Sequence, residues 1–208
     1  MKIVLAAENL RLRDIAYPDI SITEGAAAFL TGESGSGKST LLRLFNGTLT
    51  PSSGRVLYNG RDIAGTDAVS LRREVLLAGQ AVYLFDKTVR ENFAEYYSYR
   101  DMAPPADEKI RETLSLCLAD FPLESLCASM SGGERQRVFT AICLSFMPKV
   151  LMLDEPTSAL DTENAFRFMA SLKAFCGKNG MTLVTVSHDK ELVREFADEV
   201  FSLKRSGA

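Results

Sequence analysis

The chain has 208 residues, 46% of them hydrophobic and 25% charged, which excludes a disordered or collagen-like polymer and is long enough for one domain with a sizeable core. Its 24 basic and 27 acidic residues give a formal charge of −3, so there is no global basic field and no nucleic-acid partner is expected. One histidine excludes a multi-His metal site, and Cys117, Cys127, Cys143 and Cys176 are too far apart in sequence for paired zinc ligands, so they are expected as reduced thiols packed in a cytosolic interior.

Taken from the N-terminus, the first eight residues meet charges too early for a signal peptide. No apolar run approaches the ~20 residues of a membrane helix, so work at a membrane is expected to need another chain. Residues 26–30 read as a buried strand ending at a glycine-rich turn. Residues 39–46 read as a helix with Leu41, Leu42, Leu44 and Phe45 on its apolar face. Residues 54–60 form a strand closed by an Asn59-Gly60 turn, and 75–78 another short strand. The middle is helical over 88–97, 106–118 and 131–146, punctuated by Pro104-Pro105 and Pro122. Residues 150–153 are continuously apolar, as in a parallel strand buried on both faces. A helix over 164–175, a strand over 182–186 and a helix over 190–197 complete the alternation. The pattern predicts an α/β domain in two lobes, a core over 1–85 and 147–208 and a helical insert over 86–146.

Gly32-Glu33-Ser34-Gly35-Ser36-Gly37-Lys38-Ser39, followed by Thr40, fits GxxxxGK[ST] between a predicted strand and a predicted helix. Its glycines let backbone N–H groups approach phosphate oxygens, and the helix beginning near Lys38 adds its positive dipole end. Lys38 supplies a cation for the β- and γ-phosphates, and the Ser39 hydroxyl a ligand for Mg²⁺. The strand over 150–153 delivers Asp154, a hard oxygen ligand for Mg²⁺, and Glu155, placed to polarise an attacking water. A phosphate loop of this kind serves kinases, GTPases and helicases equally well.

Ser131-Gly132-Gly133-Glu134, 23 residues before Asp154 and at a predicted helix start, separates these families. On residue types alone it is an anion-binding nest or an ordinary Ser N-cap with Glu134 completing a capping box. Together with the phosphate loop it resembles the signature motif of the ATP-binding cassette (ABC) ATPases. Gln80, 42 residues after Lys38, resembles the Q-loop of that family; Ser158-Ala159-Leu160-Asp161 resembles its D-loop, and His188 its switch histidine. The resemblance extends over residues 1–205.

The resemblance implies a P-loop NTPase fold: a RecA-like core with a mostly parallel sheet, N-terminal antiparallel strands and an inserted α-helical subdomain. It implies an ATPase that uses ATP and Mg²⁺, with Ser39, Gln80 and Asp154 toward the metal, Glu155 as general base, and His188 and Gln80 as further catalytic residues. Two copies would close head to tail, Ser131 and Gly133 of one reaching the γ-phosphate held by Lys38 of the other, with Asp161 reporting across the dimer. The family role preferred is the energy subunit of a membrane transporter, peripheral on the cytoplasmic face and paired with an integral permease. Short stretches are similar to the small ATPases paired with iron-export-type permeases. The alternatives are a soluble non-transport ABC ATPase and a P-loop kinase.

Departures from the family pattern stand out at four places. The stretch from Arg11 to Tyr17 is shortened and lacks the usual adenine-stacking aromatic, which leaves Tyr17 or a guanidinium to stack, or Tyr17 simply to pack. Glu134 replaces a glutamine, Ile142 stands where the family carries arginine, and Glu33 should point away from the phosphates. Tyr83-Leu84-Phe85, just after Gln80, are expected either inside the insert or as a docking patch for the permease, with docking preferred and Tyr83 and Phe85 sharing one face.

Overall fold

The computed structural model describes residues 2–204; Met1 and residues 205–208, at the two ends of the predicted core, lie outside the described residues. Two five-stranded sheets form the frame. The first is antiparallel: β1 (Ile3–Leu12) pairs with β2 (Ile15–Ala16), β3 (Ile20–Thr23) and β5 (Ser53–Tyr58), and β5 pairs with β6 (Arg61–Asp62). The second is parallel, in the order β10 (Glu199–Leu203), β4 (Ala27–Gly32), β9 (Thr182–Val186), β8 (Val150–Asp154), β7 (Val75–Ala78).

Helices α1 (Lys38–Phe45), α2 (Ala68–Glu74), α6 (Thr162–Lys178) and α7 (Lys190–Phe196) connect the strands. Between β7 and β8 the chain inserts α3 (Val89–Ser98), α4 (Asp107–Leu116) and α5 (Gly132–Ser145). The inserted helices do not build a separate interior. Val89, Phe93, Ile110 and Ala141 share one apolar cluster with Phe29, Leu151 and Phe168. The other sheet face holds Leu30, Met152 and Val184 against Leu41, Phe45, Leu5 and Val56. Neighbours such as Phe29 and Leu30, or Leu151 and Met152, thus face opposite cores, which is why the strands read as unbroken apolar runs. Burying each such side chain contributes roughly 1.5–3 kcal/mol relative to leaving it exposed.

The predicted elements occur, with ends shifted by at most three residues. Six others escape the sequence pattern: β1, β2, β3, β6, α2 and β10. In β1 the residues Val4 to Ala7 are all buried, and the pairing shifts register between Ile3 and Leu5 and between Glu8 and Arg11, so no alternation survives. All four cysteines are free and buried, and burial pushes the Cys143 and Cys176 thiols up to about 12, so they act as core packing.

Candidate functional site

β4 ends at Gly32, and the loop that follows turns into α1 through Gly37, whose φ is 89°. A Cβ at Gly37 would lie 2.8 Å from the Tyr17 hydroxyl and 3.3 Å from Ile15 Cγ2, so both backbone and neighbours require glycine. Gly37 has no side chain to cap α1, so its first N–H groups stay open to an anion. Tyr17 is buried and its hydroxyl donates to the Gly37 carbonyl at 3.2 Å; burial pushes the phenol up to about 12. Tyr17 therefore packs beneath the loop, and stacking on a base is excluded for it. Lys38 Nζ donates to the carbonyls of Gly32 (2.9 Å) and Glu33 (2.8 Å), and burial lowers its pKa against the opposing pull of Glu155 and Asp154. The Glu33 side chain is exposed and lines no part of the cavity over the loop. The Ser36 hydroxyl is buried with no hydrogen-bond partner among the described residues.

Sheet register brings the second half together. Asp154 pairs with Val186 across β8 and β9, so the residues just past each strand end stand side by side. Glu155 takes a left-handed φ of 51°, an uncommon geometry that clusters at functional sites, and its Oε1 lies 3.0 Å from His188 Nε2. The buried Asp154 accepts from Ser39 Oγ at 3.1 Å, and burial raises its pKa. Gln80 stands two residues beyond β7. A cavity of about 280 Å³ is lined by Lys38, Ser39, Gln80, Glu155 and His188 together with Ile15, Thr40 and the loop residues Ser34, Gly35 and Gly37. Four strand ends thus converge on one opening, as ligand crevices do at the carboxyl ends of parallel strands. Among the described residues no group of three or more His, Cys, Asp and Glu could hold a metal. Ser39 and Asp154 supply two adjacent hard oxygens, which suits Mg²⁺, an ion that takes one or two protein ligands and completes its shell with phosphate and water.

The signature segment stands apart from this cavity; none of residues 131–134 lines it. Ser131 is the N-cap of α5, and the capping box is fully formed: Glu134 Oε2 accepts from the Ser131 N–H and hydroxyl, both at 2.7 Å. The capping reading and the signature reading therefore describe the same residues. A Cβ at Gly133 would lie 2.7 Å from Ala159 Cβ, so packing against the 158–161 segment demands glycine there. Gly132 has open space instead, and nothing in the fold demands its glycine. Asp161 caps α6, accepting from the Asn164 backbone N–H at 2.8 Å, and that bond holds its carboxyl below the usual range. Ile142 is fully buried in the shared core, a position that suits an apolar side chain.

After Gln80 the three apolar residues divide. Leu84 is buried, Phe85 half-buried, and Tyr83 is 64% exposed. Tyr83 and Phe85 share a face, edge to face at 5.0 Å, and Phe85 also meets Tyr96 and Tyr99. The buried Asn92 holds the turn, accepting from the Phe85 N–H at 2.8 Å. Sequence reasoning missed two roles. Ile15 lines the cavity, and Arg135 donates to the carbonyls of Leu84 and Cys127. Neither carries a local pattern, because each acts on residues distant in sequence. Tyr17, left between stacking and packing on sequence grounds, buttresses Gly37.

A family model described as ABC transporter matches residues 17–158. The chain is 40% identical to Protein STAR1 of Oryza sativa subsp. japonica over 88% of its own length and 53% of that protein's. It is 33% identical to the probable iron export ATP-binding protein FetA of Escherichia coli (strain K12), over 96% of this chain and 87% of FetA. The chain spans about half the length of STAR1 and of several other curated relatives that it matches. It superposes with a TM-score of 0.84 and 25% identity on the dimeric post-hydrolysis structure of the ATP-binding cassette MJ0796 bound to ADP and Pi, covering 96% of this chain and 94% of that one.

Proposed function

The chain belongs to the ABC transporter family, and from that premise we propose that it binds and hydrolyses ATP as the energy subunit of a membrane transporter. The observation that carries this reading is the convergence of Lys38, Ser39, Gln80, Glu155 and His188 on one cavity from four separate strand ends. The triphosphate lies on the loop from Gly32 to Thr40, its oxygens on the open N–H groups of α1. Lys38 exchanges its two carbonyl acceptors for phosphate oxygens. Ser39 and Asp154 are the residues that would hold Mg²⁺, which when bound neutralises charge on the phosphates. Gln80 and Glu155 orient a water in line with the γ-phosphorus, and Glu155 takes its proton as the bond to ADP breaks. His188, set by its contact with Glu155, faces the γ-phosphate.

The second copy supplies what this cavity lacks. Its Ser131 and Gly133 close over the triphosphate, and Asp161 lies at the joint; the dimeric state of the MJ0796 cassette supports the pairing of two copies. The helices over 86–146 act as a subdomain that takes the motion to an integral permease, the chain sitting on the cytoplasmic face of the membrane. The exposed Tyr83 beside Phe85 supports docking at that surface. No helix among the described residues is long and apolar enough to cross a membrane.

The test is steady-state hydrolysis by the purified chain. Glu155→Gln should bind ATP with unchanged affinity and lose roughly 10²–10⁴-fold in turnover, as general-base loss does. Near-normal turnover in that variant, or ATP binding that survives Lys38→Ala unaltered, would overturn the reading.

A further inference from the structure

We propose that Tyr17 is a positioning residue for phosphate binding: by gripping the Gly37 carbonyl, its hydroxyl aims the backbone N–H of Lys38 at the phosphate oxygens. The inference rests on the nucleoside-triphosphate reading above. Tyr17 touches no ligand in this account; it acts through the peptide unit that joins Gly37 to Lys38.

The phosphate loop creates the need for such a grip. A helix usually fixes its first turn with a side-chain oxygen at the N-cap, which accepts from the second or third N–H. The N-cap of α1 is Gly37, and no side chain caps the helix. A capping oxygen would occupy N–H groups that an anion needs. Gly37, at φ 89° and without a Cβ, also does little to restrain the peptide that follows it. The first turn must therefore be held from its carbonyl side if its N–H groups are to stay both open and aimed.

The Gly37 carbonyl accepts two hydrogen bonds. One comes from the Leu41 N–H at 2.8 Å, within the first turn, and the other from the Tyr17 hydroxyl at 3.2 Å. A trans peptide is planar, with its C=O and N–H pointing in opposite directions, and no cis peptide occurs among the described residues. Fixing the Gly37 carbonyl thus fixes the Lys38 N–H on the other side of the plane, and Gly37 and Lys38 both line the cavity over the loop. Hydrogen bonds to a carbonyl also polarise the peptide and strengthen its N–H as a donor.

Tyr17 is itself firmly placed. Its backbone N–H donates to the Leu10 carbonyl at 2.9 Å, and its ring is buried in the core that holds Leu10, Leu41 and Leu42. Burial pushes the phenol up to about 12, so it keeps its proton and remains a donor near neutral pH, with the Thr40 side chain as a second partner. The approach is close: a Cβ at Gly37 would lie 2.8 Å from the hydroxyl. Phenylalanine would fill the same space and leave the carbonyl with Leu41 alone.

Binding of ATP and of inorganic tripolyphosphate to full-length Tyr17→Phe, with Mg²⁺ present, tests this. Tripolyphosphate reads the loop without a nucleoside. Both dissociation constants should rise by the same factor, about 3- to 10-fold, the scale of one net hydrogen bond. KM for ATP should rise with them, while kcat at saturating ATP stays within about twofold. In the NMR spectrum of the unliganded protein the Lys38 amide proton should move upfield, a change that lost packing elsewhere would not produce. A lower melting temperature with both constants unchanged would make Tyr17 packing alone and overturn the proposal. So would a loss confined to ATP, which would put the effect on the nucleoside. Failure of the unmodified chain to bind tripolyphosphate and ATP alike would overturn the nucleotide reading itself, and this proposal with it.

Discussion

Arg135 in α5 donates through Nη2 to the carbonyl oxygen of Leu84 at 3.0 Å, tying the helix headed by Ser131 to the segment that carries Tyr83. Its Nη1 holds the Cys127 carbonyl at 2.8 Å, so one guanidinium clamps two loops. Arg135→Ala leaves both carbonyls to find other donors and should cost about 1–3 kcal/mol in chemical denaturation. Hydrogen exchange at the backbone of residues 83–86 should accelerate in the same variant, while exchange in the strands β8 and β9 should keep pace with global unfolding. Unchanged exchange at 83–86 would show that Asn92 alone holds the turn.

On the transporter reading proposed above, the exposed aromatic face after Gln80 is the expected docking surface for a permease. Tyr83→Asp with Phe85→Asp places two charges on that face and should abolish co-purification with the permease. Tyr83 is 64% exposed, so its change alone should leave the melting temperature within a degree or so. Phe85 is half-buried among Tyr83, Tyr96 and Tyr99, so the double variant should lose about 1–2 kcal/mol and still bind ATP. Persistence of the complex with both changes would move the docking surface elsewhere; unfolding of the domain would make the cluster core.

Assembly should depend on Glu134. Its carboxylate takes both hydrogen-bond donors of Ser131, and those bonds hold its pKa below the usual range, so it is charged at pH 7. In a head-to-tail dimer that charge would face the partner's triphosphate. Glu134→Gln keeps an oxygen acceptor for the capping box and removes the repulsion. Specific ATPase activity should rise with protein concentration until dimers saturate, and the variant should reach half-saturation at a concentration about 3- to 10-fold lower. Activity per molecule independent of concentration, with only monomer in ATP-loaded Glu155→Gln, would argue against shared sites.

Asp154 sets a pH dependence with a definite sign. Burial raises its pKa, so the native state binds this proton more tightly than the unfolded chain, where the value is about 3.9. Its contribution to stability without ligand therefore falls as pH rises from about 3.9 through the raised native value, and the full cost of the buried charge stands above it. Asp154→Asn removes that cost. Without ligand the variant should melt higher than the unmodified protein at pH 7, a gain of about 1 kcal/mol appearing as roughly 2–4 °C, and the difference should shrink toward pH 4. With Mg²⁺ and ATP the order should reverse, because the variant lacks the carboxylate oxygens the metal needs. A variant that melts lower without ligand at pH 7 would mean that the Ser39 bond outweighs the buried charge.

Much of the site was legible before any fold was known. The loop from Gly32 to Ser39 and the run from Val150 to Glu155 are contiguous, and their chemistry follows from neighbours in sequence: a strand, a turn, a helix start, an acid at a strand end. Continuous apolar strands announced burial on both faces, and β7 and β9 fall on the predicted residues. The first sheet was less legible, because β1 is buried along four successive residues and bulges twice, which erases the period-two signal.

Tertiary structure alone decided which groups meet. Glu155 and His188 are 33 residues apart and touch because Asp154 and Val186 are register partners in adjacent strands. Tyr17 could stack or pack on sequence grounds; it packs, because Gly37 comes within hydrogen-bond reach of its hydroxyl and the sheet beneath removes it from water. Leu84 and Tyr83 are alike in apolarity, yet one is buried and the other exposed, because an extended chain sends adjacent side chains to opposite sides and only one side faces the core. Local patterning can specify an element and the chemistry of its end. Which ends converge is set by strand order and register, and those depend on how the two cores close around all the strands at once.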